Sequence, residues 1–194
     1  MNDLHRYYEH RSELDTADLL TYVTDGAVSW AIRQWSPGAN HAGMVLYLRE
    51  YAGETERRWT MEATAHGPRM AFLSELLEEL DGECYWHQLK PEISNAKREA
   101  AGGWALTQQG VVKYDLKGVL QYPFRKVSAN LNKLACSEYV QFSWWKGTII
   151  TMEVGAIMAR PSDLPNFGVT RPPILLVTHK PFIQVPSQLE TITP

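Results

Sequence analysis

His41 and Cys136 are the two residues of this sequence whose types and settings suit nucleophilic chemistry. His41 opens the run His-Ala-Gly-Met-Val-Leu-Tyr-Leu, apolar at nearly every position until it breaks into Arg49-Glu50. Such a run suits a strand covered on both faces. On a period of two, His41, Gly43, Val45 and Tyr47 share one face, and Ala42, Met44, Leu46 and Leu48 the other. Gly43 leaves room for another segment to come close. Cys136 sits where a second apolar run begins, in "ACSEYVQFSWWKG". Ser137 is placed to cap a helix there, Glu138 falls in its first turn, Lys146 in its last, and Gly147 follows. The unpaired N–H groups and the dipole of a helix N-terminus favour a thiolate, and the same N–H groups can hold the oxyanion of a tetrahedral intermediate. A cysteine at a helix start and a histidine at a strand start form the geometry of a thiol hydrolase. Taken singly, each has a plainer role: a strand-edge histidine bound to backbone, and a small buried hydrophobe beside Leu134 and Ala135.

The elements that must position them are legible in outline. "DLLTYV" (18–23) reads as a strand ending at the turn signal Asp25-Gly26, and "AVSWAIRQW" as a helix stopped by Ser36-Pro37-Gly38. "GETERR" reads as a hairpin turn, after which "RRWTMEATA" returns as a strand carrying Glu62. The Leu73, Leu76, Leu77 and Leu80 stripe predicts an amphipathic helix over 69–80, ending at Gly82. "ECYWHQL" (83–89) predicts a strand. Residues 91–110 predict a helix that Gly102-Gly103 weaken or kink. A loop-like stretch follows with Tyr114-Asp115 and Tyr122-Pro123, then a helix from Asn132 to Gly147. "ILLVTH" and "PFIQV" supply the last strands. Helices and strands interleave but include hairpins, so the expected class is α+β rather than a doubly wound parallel sheet.

Composition bounds what these elements serve. The chain has 194 residues, 44% hydrophobic and 21% charged, which predicts a single domain over 1–194. A formal charge of −3 gives no electrostatic case for nucleic acid. Two cysteines, Cys84 and Cys136, could form at most one bridge, so reduced thiols are the expectation. No apolar run approaches the roughly 20 residues of a membrane helix, and the charged opening residues lack a signal-peptide core. A cytoplasmic location is expected. The sequence leaves the oligomeric state open.

Five segments in order, "NHAGMVLYL", "WTMEATAHG", "YDLKGVL", "ACSEYVQFSWWKG" and "ARPSDL", resemble the permuted papain-like proteins of the NlpC superfamily, in particular the YiiX/YaeF-like branch, with a more distant likeness to lecithin retinol acyltransferase. The resemblance spans roughly residues 15–168, with C-terminal strands continuing to about 186. It implies a circularly permuted papain-like fold, an antiparallel half-barrel packed on helices, in which the His strand precedes the Cys helix. It implies Cys136 as nucleophile, His41 as general base and later acid, and Glu62, at the family's "EA" position, as the carboxylate that orients the imidazole. Tyr114 and Asp115 match a "YD" pair that lines the cleft there, and His66 is a further polar candidate beside it. Asn40 and Met44 depart from the usual Ser and Ile or Val. The lack of an export signal departs from relatives that act on the cell wall, and suggests intracellular fragments as substrate or a phage or prophage origin.

The expected function is therefore hydrolysis of an amide in a small, cell-wall-type peptide through a thioacyl-enzyme, with no cofactor. A peptide bearing a free carboxylate fits the helix dipole beside Cys136. The alternatives are acyl transfer or thioester hydrolysis on a lipid, and a papain-like shell that only binds or serves a phage particle. A zinc site is not expected: no CxxC or HExxH framework exists, and Cys84 and His87 on a strand point to opposite faces.

Overall fold

The computed structural model describes residues 2–34, 36–49, 56–115, 133–151 and 159–178. Among them are eight strands: β1 (Leu19–Thr24), β2 (His41–Leu46), β3 (Trp59–Thr64), β4 (Gly67–Phe72), β5 (Gly82–His87), β6 (Lys113–Tyr114), β7 (Lys133–Leu134) and β8 (Ile174–Thr178). The helices are α1 (His5–His10), α2 (Ala27–Arg33), α3 (Leu73–Glu79), α4 (Asn95–Thr107) and α5 (Cys136–Lys146). Six strands make one sheet in the order β4-β3-β2-β1-β5-β8, with every pairing antiparallel, and β6 and β7 form a separate parallel pair. The α+β class expected from the sequence is the class observed.

Both faces of the sheet are covered, which accounts for the unbroken apolar run of β2. Ala42, Met44 and Leu46 join Leu19, Met61 and Ala63 beneath Tyr139, Val140 and Trp144 of α5 and Ala101 and Ala105 of α4. On the other face Val45 joins Leu20, Tyr22, Cys84 and Trp86 against Tyr7, Leu73 and Leu77. Helix α5 packs on β2, β3 and α4, and nine of its residues are buried, so it is a central helix with no solvent face of its own over most of its length.

Three expectations are corrected. The helix over 69–80 begins only at Leu73, because residues 67–72 pair with β3 as strand β4. The leucine stripe set the helix but could not mark its start. Pro68 and Phe72 belong to an edge strand instead, where the Phe72 ring packs across the pair on Trp59 of β3, centroids 5.6 Å apart. Gly102 does not kink α4, which runs unbroken through it. A Cβ at Gly102 would lie 2.7 Å from Thr16 Cγ2 and 3.1 Å from Leu46 Cδ1, so this glycine lets the helix lie close on the sheet. The Cys helix starts at Cys136 rather than at residue 132, with Lys133–Leu134 in β7. The strand expected at "PFIQV" and the Tyr122-Pro123 pair lie outside the described residues. No helix among the described residues is long and apolar enough to cross a membrane.

Asp18, fully buried, ties the start of β1 to α4 and to the end of β5. Its Oδ1 accepts from Arg98 Nη1 at 2.7 Å and from the Leu89 N–H at 2.8 Å, and its Oδ2 from Trp86 Nε1 at 2.9 Å and the Asp15 N–H at 3.1 Å. Removing one partner of a buried ion pair strands the other without compensation. Arg98→Met is expected to lower stability by about 3–5 kcal/mol, measured by urea unfolding. A loss below about 1 kcal/mol, the value of an exposed pair, would contradict this role.

Candidate active site

The start of β2 is fixed before His41 is reached. Asn40 is buried; its Oδ1 accepts the Thr24 N–H at 3.0 Å and its Nδ2 donates to the Thr24 carbonyl at 2.8 Å. The side-chain amide thus extends the β1–β2 ladder, and this gives the departure from Ser at position 40 a structural purpose. Tyr22 lies opposite His41 in the register, the two rings 5.3 Å apart.

Pairing then places three polar side chains on one face. Gly43 lies opposite Glu62, and Glu62 opposite Arg69, so His41, Glu62 and Arg69 project to the same side of three adjacent strands. A Cβ on Gly43 would come 3.1 Å from Thr60 Oγ1 and 3.4 Å from Glu62 Cβ. The missing side chain leaves the diagonal from Glu62 to His41 open. Glu62 is 2% exposed. Its Oε2 meets His41 Nε2 at 2.5 Å, and its Oε1 accepts Arg69 Nε at 2.8 Å and Nη2 at 2.6 Å. Burial raises the carboxyl's proton affinity, but His41 and then Arg69 outweigh it and hold Glu62 below the usual carboxylate range.

Cys136 arrives from the other side of the sheet. The β6–β7 pair sets Tyr114 beside Leu134, two positions before the cysteine. The chain enters α5 in extended conformation at Ala135, whose N–H donates to Glu138 Oε2 at 2.8 Å. The cap position is therefore Ala135 and not Ser137, which is buried inside the first turn; Glu138 supplies the capping carboxylate from within the helix. Cys136 lies near enough to His41 to favour the protonated ring. With Nε2 on Glu62, Nδ1 is the nitrogen left for the sulfur. Burial disfavours a charged imidazole, yet Cys136 first and Glu62 second overcome it and push His41 up to about 10.

The remaining sequence candidates separate. Tyr114 stands close enough to Cys136 and Glu138 to feel their charge, which adds to burial in raising its phenol. Asp115 is buried behind it, its N–H on the Leu134 carbonyl at 3.3 Å. His66 is exposed on the β3–β4 turn with its N–H on Thr64 Oγ1 at 3.4 Å, and it takes no part in the Glu62–His41–Cys136 cluster. The "PSDL" segment closes on the loop before β2 through Ser36 Oγ and Ser162 Oγ at 2.9 Å.

A cavity of about 540 Å³ borders His41, Glu62 and Arg69 on the side away from α5. Cys136 is not among its lining residues, so it opens behind the imidazole rather than at the sulfur. Asp25, Glu75, Glu79 and Asp81 line it, and its cationic groups, Arg69 and the raised-pKa His41, are both already bound to Glu62. Arg69 and Tyr22 are the site residues that sequence reasoning missed. The signal for Arg69 was present: with Ala65-His66 as a two-residue turn, Glu62 and Arg69 stand equally far from it and must face each other.

No family model and no curated protein matches this sequence. Among solved structures, the chain is similar to the crystal structure of metalloprotein yiiX from Escherichia coli O157:H7 (DUF1105), at 16% identity and a TM-score of 0.56, over 71% of this chain and 68% of that one. A likeness at that identity establishes a YiiX-like fold.

The His41 charge has a signature in stability. Its folded pKa lies above the ordinary value of 6.5. The stabilisation is therefore complete below pH 6.5 and is lost as pH rises toward about 10. Glu62→Gln removes one of the groups that hold the charge on the ring, so the fall in stability between pH 6.5 and 9 should be shallower than in wild type by denaturant titration. Identical slopes would mean that Glu62 does not hold the charge on the ring.

Proposed function

We propose that this protein is a cysteine hydrolase that cleaves an amide through a thioacyl-enzyme, with its parts arranged as in a circularly permuted papain-like enzyme. The observation that carries this reading is the His41 ring bound through Nε2 to the buried Glu62 carboxylate, with Cys136 near enough to favour its protonated form. In the proposed reaction His41 takes the thiol proton and the sulfur attacks the amide carbonyl carbon. The oxyanion that forms faces the N–H groups at the start of α5. Collapse breaks the C–N bond while His41 returns its proton to the leaving amine. His41 then takes a proton from water, which attacks the thioester and releases the acid and the thiol. Glu62 holds the ring through Nε2 and stabilises the imidazolium without itself being protonated. Tyr114 and Asp115, next to the Cys136 entry, are proposed to wall the cleft at the sulfur.

The similar solved structure is that of a metalloprotein. In this chain no group of three or more His, Cys, Asp or Glu residues is arranged to hold a metal among the described residues, and both Glu62 oxygens are already committed, one to a guanidinium. A cation there would have to displace Arg69, so the proposed steps run through no metal.

The substrate proposed is a small peptide of cell-wall type. A side-by-side assay tests this: release of new amino groups from tri- and tetrapeptides of that kind, against turnover of phospholipid and acyl thioester. The expected result is peptide cleavage that falls at least about a thousandfold in Cys136→Ala, since removing the nucleophile leaves only binding and oxyanion stabilisation. Turnover confined to the lipid or thioester panel would replace amide hydrolysis with acyl transfer. Silence on both panels would favour a binding protein.

A further inference from the structure

The Arg69 guanidinium reaches across from the edge strand to a carboxylate already engaged by a catalytic candidate. It donates two N–H groups to a single oxygen, Glu62 Oε1, at 2.8 and 2.6 Å, and leaves Oε2 to His41. The two residues are direct cross-strand partners, and the Arg69 side chain is 54% exposed while Glu62 is 2% exposed. An exposed arginine that spends both donors on one buried oxygen does two things. It fixes the carboxylate's rotation, so Oε2 and no other lone pair meets Nε2. It also sets a positive charge against the anion that stabilises the imidazolium, which weakens Glu62's hold on the proton of His41.

We propose that Arg69 is a positioning residue that orients Glu62 toward His41 and limits how strongly the imidazole retains its proton. The role follows from the chemistry of the cycle. An imidazolium that never released its proton could serve as an acid to the leaving amine but could not then activate water as a base. A guanidinium behind the carboxylate tempers the ion pair without touching the substrate or the sulfur. The proposal rests on the Cys136–His41–Glu62 reading above, and its test separates the two.

The test follows the His41 ring directly by NMR, in the Cys136→Ala background where the sulfur no longer contributes. Arg69→Gln removes the charge and is expected to raise the His41 titration midpoint by about half a unit or more, close to threefold in proton affinity. Arg69→Lys keeps the charge and loses the fork, so its midpoint should stay near that of the parent. Its Nε2 proton should exchange with solvent several-fold faster, because a lysine ammonium binds as a point charge and does not fix the carboxylate plane. A midpoint unmoved by Arg69→Gln overturns the electrostatic half of the proposal, and an Nε2 proton as protected in Arg69→Lys as in the parent overturns the positioning half. Should Arg69→Gln fail to fold, Arg69→Lys decides alone: a raised midpoint with the charge still present, or unchanged exchange, rejects the proposal. Glu62→Gln in the same background is the control for the underlying triad. If it fails to lower the His41 midpoint, the triad reading falls as well; if it lowers the midpoint while Arg69→Gln does nothing, only the role of Arg69 is lost.

Discussion

A carboxylate buried under a sheet has to be paired, and the pairing of Glu62 organises much of this fold around it. An ionised carboxyl without partners at that depth would instead take up a proton, because desolvation penalises the charge. Glu62 stays ionised by lying between a guanidinium on β4 and an imidazole on β2. That condition ties together the registers of three strands, since a slip of one residue would carry Glu62, His41 or Arg69 to the opposite face. It also accounts for Gly43, the one position on the line between Glu62 and His41 where a side chain would intrude. The same carboxylate decides the chemistry open to the histidine. With Nε2 held by Glu62, Nδ1 is the ring nitrogen left for other partners.

A second buried carboxylate holds the other wall of the site. Asp18 gathers donors from α4, β5 and the chain just before β1, which anchors α4 on the sheet. Helix α4 in turn packs along α5, where Gly147 comes so near that a Cβ would lie 2.6 Å from the Lys97 carbonyl. The position of the Cys136 helix is therefore set by close backbone contact and by a charge pair far from the thiol. Polar residues buried at two places fix the relation between a strand end and a helix start, and Glu62, Trp86 and Arg98 among them come from the segment that separates His41 from Cys136 in the chain.

The parts of this arrangement that are governed by local patterns were legible in the sequence. The period-two reading of β2 assigned Met44 and Val45 to different faces, and the clusters on the two sides of the sheet contain them accordingly. The apolar run after Cys136 with Gly147 beyond it marked α5 and its direction. Boundaries were lost where two elements abut without a break. Phe72 ends an edge strand and Leu73 begins a helix, and nothing in the leucine stripe separates them. Ser137 looked like a cap because caps favour serine, whereas the chain turns into the helix one residue before Cys136 and uses Glu138 instead. Arg69 was hidden for the same reason as β4: read as the first turn of a helix, it had no cross-strand partner. The acidic cavity was not legible at all, because Asp25 and the stretch from Glu75 to Asp81 lie far apart in sequence and meet only in the folded chain.

The central claim is that His41 activates Cys136, and the most direct measurement is the rate at which iodoacetamide alkylates Cys136 at pH 6, followed by mass spectrometry in wild type and His41→Ala. Cys84, fully buried among apolar groups on the far face, reports any general unfolding in the same samples. Loss of His41 is expected to slow Cys136 alkylation by roughly tenfold or more, the change that accompanies one unit of lost electrostatic support, with Cys84 inert in both proteins. An unchanged Cys136 rate in His41→Ala, with Cys84 still protected, would contradict the claim.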